Sequence, residues 1–293
     1  MGLGGYELGP EPGEDPNVDR AERVIRTALE AGVDWLDTSE NYLDTRNEAL
    51  MGEALARIDD DFLIASKAAP GKGVTGGGSG FRRDEIHAAC RASLGRLGRE
   101  HLDLYFLHWP DRTGVPLEET WGAMAELADA GLVRAIGLSN YSIEDVERCH
   151  ADRPVDVVQV GLSMIDYLDD RASIARCGAL GIGVTIFEPL ASGVRGRTLE
   201  EVRAVWTGAW EETEFYRNLT DPLWVARASV VLDDLRALAA RLDATVAQLA
   251  IGWVLAQPGV SAAIVGSRDG GHIKENAAAS ELDLTDASTR SND

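Results

Sequence analysis

The chain has 293 residues, a formal charge of −21, 45% hydrophobic residues and 26% charged residues. That length and composition support a sizeable core and exclude a disordered chain. The acidic balance argues against nucleic acid and anionic membrane as partners, and no apolar run approaches the roughly 18 residues of a membrane span. In chain order, Gly2–Tyr6 is a short strand candidate and Asp19–Ala31 a helix, with Val24, Ile25, Ala28 and Leu29 at helical spacing. Strands follow at Val33–Asp37 and Phe62–Lys67, a helix at Arg82–Leu97, a strand at Leu102–His108 and a helix at Leu117–Ala130. Then come strand Ala135–Ser139, helix Ser142–His150, strand Val155–Val160, helix Arg171–Leu180 and strand Gly183–Phe187. Helix Ser229–Leu242 and strand Ala262–Gly266 complete the series. Gly32, Gly98, Gly131 and Gly181 each stop a helical run, and Ser142 with Asp145 forms a capping pair.

The strands are apolar on both faces, as in a parallel sheet covered on both sides. Alternating β and α units imply right-handed crossovers. Eight strands in this length predict an α/β fold, a (β/α)8 TIM barrel, as one domain over residues 1–293. A doubly wound sheet is the rival, but no glycine-rich phosphate turn with GxGxxG spacing follows the first strand. Gly71–Gly80 reads as a glycine-rich loop, and residues 190–225 read as an insertion after strand seven, carrying Trp206, Trp210, Phe215, Tyr216 and Trp224. The start, Met1 to Pro10, lacks the regions of a signal peptide. Cys90, Cys149 and Cys177 are widely spaced with no CxxC, so a cytoplasmic protein without a disulfide framework or zinc site is expected.

In such a barrel the chemistry sits at the C-terminal strand ends. There the sequence places Asp37 with Tyr42 shortly after it, Lys67, His108 with Trp109, Ser139-Asn140, Gln159, Phe187 to Leu190, and Gly266-Ser267-Arg268. Lys67 is notable because only Lys67, Lys72 and Lys274 are lysines. A buried ammonium beside a phenol is expected to lower the phenol's pKa, a carboxylate holds the ammonium, and an imidazole adds a hydrogen bond to a substrate oxygen. Such a site protonates a carbonyl oxygen as it becomes an alkoxide, and it needs an external electron source. A metal-dependent hydrolase is disfavoured, because of the five histidines only His108 sits at a strand end.

The segments GVDWLDTSENY, FLIASK, LDLYFLHWPD, RAIGLSNYS, VVQV, FEPLASGV and AAIVGSR, in this order, resemble the aldo-keto reductase superfamily from Gly2 to about Ala279. The resemblance implies a barrel that binds NADP(H), in preference to NAD(H), without a Rossmann domain. It implies that Asp37, Tyr42, Lys67 and His108 are the catalytic tetrad, with Tyr42 the general acid. Ser139, Asn140 and Gln159 would grip the nicotinamide carboxamide and Phe187 would stack on its ring. Leu190, Ser192 and Gly193 would meet the pyrophosphate. Gly266, Ser267 and Arg268 would meet the adenosine 2′-phosphate, and His272, Glu275 and Asn276 the adenine side. Tyr6, Trp109 and Tyr141 are assigned to the substrate pocket. Departures are Gly5 for a usual threonine, His272 for glutamine, Leu162 for tyrosine, and a start so near the first strand that the usual N-terminal β-hairpin plug is expected to be lacking. The expected activity is hydride transfer between nicotinamide and a small carbonyl or alcohol, an aldehyde, ketone or keto-sugar. A cofactor-binding regulatory subunit with vestigial activity is the other reading of the same resemblance.

Overall fold

The computed structural model describes residues 1–9, 15–59, 62–69, 81–164, 171–191, 221–282 and 284. Eight parallel strands close into a barrel in sequence order. They are β1 (Gly2–Gly4), β2 (Trp35–Asp37), β3 (Leu63–Ala68), β4 (Leu102–Leu107), β5 (Val133–Ser139), β6 (Val157–Gly161), β7 (Gly183–Phe187) and β8 (Ala262–Val265). Closure is made by β1 against β8, with Leu3 opposite Val265. Around it run α1 (Val18–Glu30), α2 (Arg46–Leu55), α3 (Arg83–Leu97), α4 (Leu117–Asp129), α5 (Ile143–Asp152), α6 (Arg171–Ala179), α7 (Pro222–Arg241), α8 (Val246–Leu255) and α9 (Gly270–Ala277). The predicted barrel is therefore the observed one, with every strand candidate present within two residues of its expected bounds.

Local chemistry explains the element ends. Asn17 caps α1 by accepting from the Arg20 amide at 2.8 Å. Ser142 caps α5 by accepting from the Asp145 amide at 3.2 Å, the pairing expected from the sequence. Gly98 ends α3 with φ 65°, a left-handed conformation that costs a glycine nothing. Burial of α1 follows its stripe of Ala21, Val24, Ile25 and Ala28. One continuous core joins the strands' outer faces to the helices and includes fully buried Trp121, whose indole N–H donates to the Arg153 carbonyl at 3.0 Å.

Three helices, α2, α8 and α9, are absent from the predicted series, and α7 starts at Pro222 rather than Ser229. The Gly71–Gly80 loop and most of the 190–225 insertion, with Trp206, Trp210, Phe215 and Tyr216, lie outside the described residues. Among the described residues no single helix is long and apolar enough to cross a membrane.

Candidate active site

Every parallel strand delivers its last residues to the same end of the barrel. Asp37 is the last residue of β2, Lys67 the penultimate residue of β3, and His108 directly follows β4. Ser139 ends β5 in register with Gln159 of β6, and Phe187 ends β7. The strand ends thus gather side chains far apart in the chain, Asp37 and Gln159 being separated by 122 residues.

At the centre lies a buried ion pair. Lys67 is fully buried, and its Nζ donates to Asp37 Oδ1 at 2.5 Å and to the Thr38 carbonyl at 2.8 Å. The other Asp37 oxygen accepts from Gln159 Nε2 at 2.9 Å. The carboxylate is therefore saturated, which offsets the desolvation a buried charge suffers. Tyr42 completes the cluster: the Lys67 ammonium lies 5.2 Å from its ring centroid and interacts with its hydroxyl. Burial opposes the Lys67 charge, but Asp37 and Tyr42 outweigh it and hold the ammonium above its usual range.

The Tyr42 phenol behaves differently from the expectation. Burial pushes its pKa above the ordinary value, with Asp37 and Glu188 adding to the rise, and the Lys67 charge pulls it down only in part. The expected net lowering is thus corrected: the ammonium has the predicted sign, but desolvation is larger. Tyr42 consequently holds its proton across neutral pH.

The aromatic groups are arranged around it. Tyr6 meets Tyr42 edge-on at 5.2 Å between centroids, and Tyr42 meets His108 edge-on at 5.8 Å. Trp109 stacks on His108 at 3.6 Å and 11°. Burial, with the Lys67 charge, holds the His108 imidazole well below its usual pKa, so the ring is neutral. Its Nδ1 is 2.9 Å from Ser39 Oγ. Tyr141 does not face this group. It is buried beside Ile143, Val146, Val158 and Ile174, between barrel and helices, and its hydroxyl donates to the Trp109 carbonyl at 3.0 Å. It supports the loop that carries Trp109.

The residues expected to hold a dinucleotide line the adjoining strand ends. Asn140, at φ 63°, turns its amide to donate to the His108 carbonyl at 3.0 Å and to Ser139 Oγ at 3.1 Å. Ser139, Asn140 and Gln159 together present a hydroxyl and two amides, the donor and acceptor types a carboxamide pairs with. Phe187 is half-buried at the end of β7 and Leu190 is buried beyond it. Ser192 and Gly193 lie outside the described residues. Where β1 meets β8 the backbones approach closely: a Cβ on Gly4 would lie 3.2 Å from the Gly266 nitrogen. Gly4 and Gly266 add no side chain of their own to that seam, so beside the hydroxyl and amides of Ser139, Asn140 and Gln159 the residues fit such a group. Past the seam, Ser267 Oγ accepts from the Asp269 amide at 3.0 Å and lies 3.5 Å from His272 Nδ1. Glu275 accepts from the Thr245 hydroxyl at 2.7 Å, and Asn276 is buried.

Several groups at the site go beyond the sequence expectation. Glu7 brings its carboxylate to 3.7 Å from Arg268 Nη1 and packs its stem over Gly266. Thr38 Oγ1 donates to Asn47 Oδ1 at 2.7 Å, and Asn47 Nδ2 donates to the Gly5 carbonyl at 2.9 Å, fixing β1 to β2. The Gly5 amide itself donates to the Asp37 carbonyl at 2.7 Å, and a Cβ at Gly5 would meet that oxygen at 2.9 Å, so a threonine there would need the backbone to shift. Among the described residues no group of three or more His, Cys, Asp or Glu is placed to hold a metal.

Comparison with known proteins agrees with this fold. Residues 1–293 match the sequence model described as Aldo/keto reductase family. A probable aldo-keto reductase 1 of Glycine max is 30% identical over 91% of this chain and 76% of its own length. The NADH-specific methylglyoxal reductase of Escherichia coli (strain K12) is 27% identical over 98% of this chain and 91% of its own. The crystal structure of a thermostable aldo-keto reductase, Tm1743, superposes with a TM-score of 0.74 at 26% identity, covering 99% of this chain and 92% of that one. The glycerol dehydrogenase AKR11B4 of Gluconobacter oxydans shares the fold, with a TM-score of 0.83 at 24% identity over 99% and 89% of the two chains. The chain belongs to the aldo/keto reductase family, and it is an oxidoreductase that works with a nicotinamide cofactor.

Proposed function

We propose that this single-domain barrel is an NADP(H)-dependent oxidoreductase that moves hydride between nicotinamide and a small carbonyl or alcohol: an aldehyde, ketone or keto-sugar. The observation that carries the reading is the buried Asp37–Lys67 pair against a half-buried Tyr42, beside a neutral His108. A bound nicotinamide dinucleotide supplies or accepts the hydride. The protein's part is the proton. Tyr42, still protonated at neutral pH, donates to the carbonyl oxygen as negative charge grows on it. The phenolate left behind is balanced by the Lys67 ammonium, which Asp37 keeps charged and fixed. His108 gives a second hydrogen bond to the same oxygen. In oxidation Tyr42 runs the step backwards as base.

Ser139, Asn140 and Gln159 would hold the carboxamide, Phe187 the ring face, Leu190 with Ser192 and Gly193 the pyrophosphate, and Gly266, Ser267, Arg268, His272, Glu275 and Asn276 the adenosine half. Tyr6 and Trp109 border the substrate. The Escherichia coli relative is named for reducing methylglyoxal, which supports testing that aldehyde here. The test is Tyr42→Phe, expected to lower turnover by about 10²–10⁴-fold with cofactor binding intact. Near wild-type turnover refutes the assignment.

A second reading, preference for NAD(H), is favoured by the Glu7 carboxylate beside Arg268 and by the NADH-specific relative. The carboxylate competes with a 2′-phosphate for the guanidinium. Titration of both cofactors decides between them. Under the NADP(H) reading Arg268→Ala weakens NADPH by roughly one to two decades and leaves NADH unmoved. A wild type that prefers NADH, with NADPH gaining in Glu7→Gln, supports the second.

A further inference from the structure

The Ser39 hydroxyl has one proton and three neighbours competing for it, the most distant being the Lys67 carbonyl at 3.4 Å. Its Oγ lies 2.6 Å from Asn41 Oδ1 and 2.9 Å from His108 Nδ1, and it is fully buried. The proton's choice fixes the imidazole. If the hydroxyl donates to Asn41, the ring must carry its own proton on Nδ1, and Nε2 is a bare acceptor. If the hydroxyl donates to Nδ1, the ring proton sits on Nε2, which then donates. An amide presents its NH2 in place of its oxygen after a half turn of its last bond, and Asn41 is only half-buried, so it has room to turn. With NH2 toward Ser39 Oγ, the serine proton goes to His108 Nδ1 at 2.9 Å, a shorter bond than the 3.4 Å to the Lys67 carbonyl.

We propose that Ser39 is the positioning residue that sets the tautomer of His108, holding the proton on Nε2, and that the Asn41 amide selects this state by donating to Ser39. This rests on the reading of His108 as the donor to the substrate oxygen. Three features of the structure make the tautomer matter. The ring stays neutral, because burial and the Lys67 charge disfavour imidazolium, so no second ring proton supplies a donor by default. Its plane is held between the Trp109 stack and the Tyr42 edge, which disfavours a ring flip that would put Cδ2 in place of Nδ1 against Ser39. The third is that Nδ1 faces a residue of the same DTSENY run that ends in Tyr42, so acid and second donor are oriented by one short segment.

The test uses the full-length protein labelled with 15N-histidine, whose ring nitrogens report the tautomer directly. His108 is assigned among the five histidines by difference from His108→Gln. Wild type is expected in the Nε2–H form. Ser39→Ala removes the bias and moves His108 to a mixture or to the Nδ1–H form, with kcat/KM for carbonyl reduction falling up to about tenfold and cofactor affinity unchanged. Ser39→Thr, which keeps the hydroxyl, restores both. Asn41→Asp acts from the half-exposed end and does not depend on how the buried site tolerates alanine: its carboxylate takes the serine proton and drives the ring to Nδ1–H. His108 nitrogen shifts that are the same in wild type, Ser39→Ala and Asn41→Asp overturn the proposal. A tautomer change without a change in turnover supports the serine's control of the ring and overturns the donor role of His108 instead.

Discussion

Glu40 is a buried carboxyl whose charge is poorly served, and the substitution Glu40→Gln reads its cost. One oxygen accepts from the Ala69 amide at 2.7 Å, while the other is buried with no partner among the described residues. Burial is the main cause that raises its pKa from 4.5 to about 7. The nearby Glu48 charge adds to the rise, and the Ala69 bond and Arg96 oppose it. Between pH 4.5 and about 7 the folded chain keeps a proton that the unfolded chain has released. Stability therefore falls as pH rises through that window, and the contribution present below pH 4.5 is gone above about 7. At 1.36 kcal/mol per unit the loss is about 3 kcal/mol. Glutamine copies the neutral form, keeps an acceptor for Ala69, and offers its NH2 toward the region of the Tyr105 hydroxyl, which is also buried without a partner among the described residues. Urea unfolding at pH 5, 7 and 9 is the assay. Glu40→Gln is expected to match wild type near pH 5 and to exceed it by about 3 kcal/mol at pH 9. Parallel stability profiles for the two proteins, or a variant weaker at pH 9, would refute the reasoning.

Two further outcomes test other parts of the structure. Lys67→Met removes the one charge that lowers the Tyr42 phenol, so the alkaline rise of alcohol oxidation should move to higher pH and the rate at a fixed neutral pH should drop; an unchanged pH–rate profile contradicts the role. Glu48 is fully buried and accepts from Ser66 at 2.5 Å, Ser93 at 3.2 Å and Arg96 Nε at 2.7 Å. Glu48→Ala removes the carboxylate partner of Arg96 and should cost about 3–5 kcal/mol in denaturant unfolding, and a loss below about 1 kcal/mol contradicts a structural role for the network.

The barrel was legible because its strands announce themselves twice, as apolar runs and as runs closed by polar residues at one end. Two of the helices that escaped, α2 and α8, did so for opposite reasons. In α2 the inward face carries Asn47 and Glu48, both buried, so polar residues stand where a helical stripe would be apolar. In α8 nearly every residue is apolar and Ala247, Leu249, Ala250, Ile251 and Val254 are all buried, so there is no polar face to set a period. Its Thr245–Gln248 capping box was the available signal. The start of α7 was marked too: Asp221 accepts from the Leu223 amide at 2.9 Å, with Pro222 at the first turn. At the site, strand-end residues were readable because a parallel barrel sends all C-terminal ends to one face. The Glu7–Arg268 contact was not, because it exists only through closure of β1 on β8. The direction of the Tyr42 shift was hidden for a related reason: residue types give the sign of the Lys67 effect, while desolvation depends on the packed surroundings.

What holds Tyr42 in place shows how much of this site is built from ordinary backbone accounting. Tyr42 lies in no strand or helix and is followed by three left-handed residues, Leu43 at φ 54°, Asp44 at 52° and Thr45 at 71°. For residues with a Cβ such a run persists only where its surroundings impose it. The hydrogen bonds supply that imposition on both sides. Upstream, the Thr38 amide donates to the Ala65 carbonyl at 2.9 Å and the Glu40 amide to the Lys67 carbonyl at 3.3 Å, so the segment continues along β3 after β2 has ended. Downstream, the Asn47 amide donates to the Tyr42 carbonyl at 3.3 Å while its side chain ties Thr38 to Gly5. The side chains between Asp37 and Tyr42 are thereby committed one by one: Thr38 to Asn47, Ser39 to His108, Glu40 to Ala69. The acid is thus pinned to the strand that carries its ammonium, and the left-handed residues turn the chain from that strand end into α2, whose buried polar face returns the same bonds.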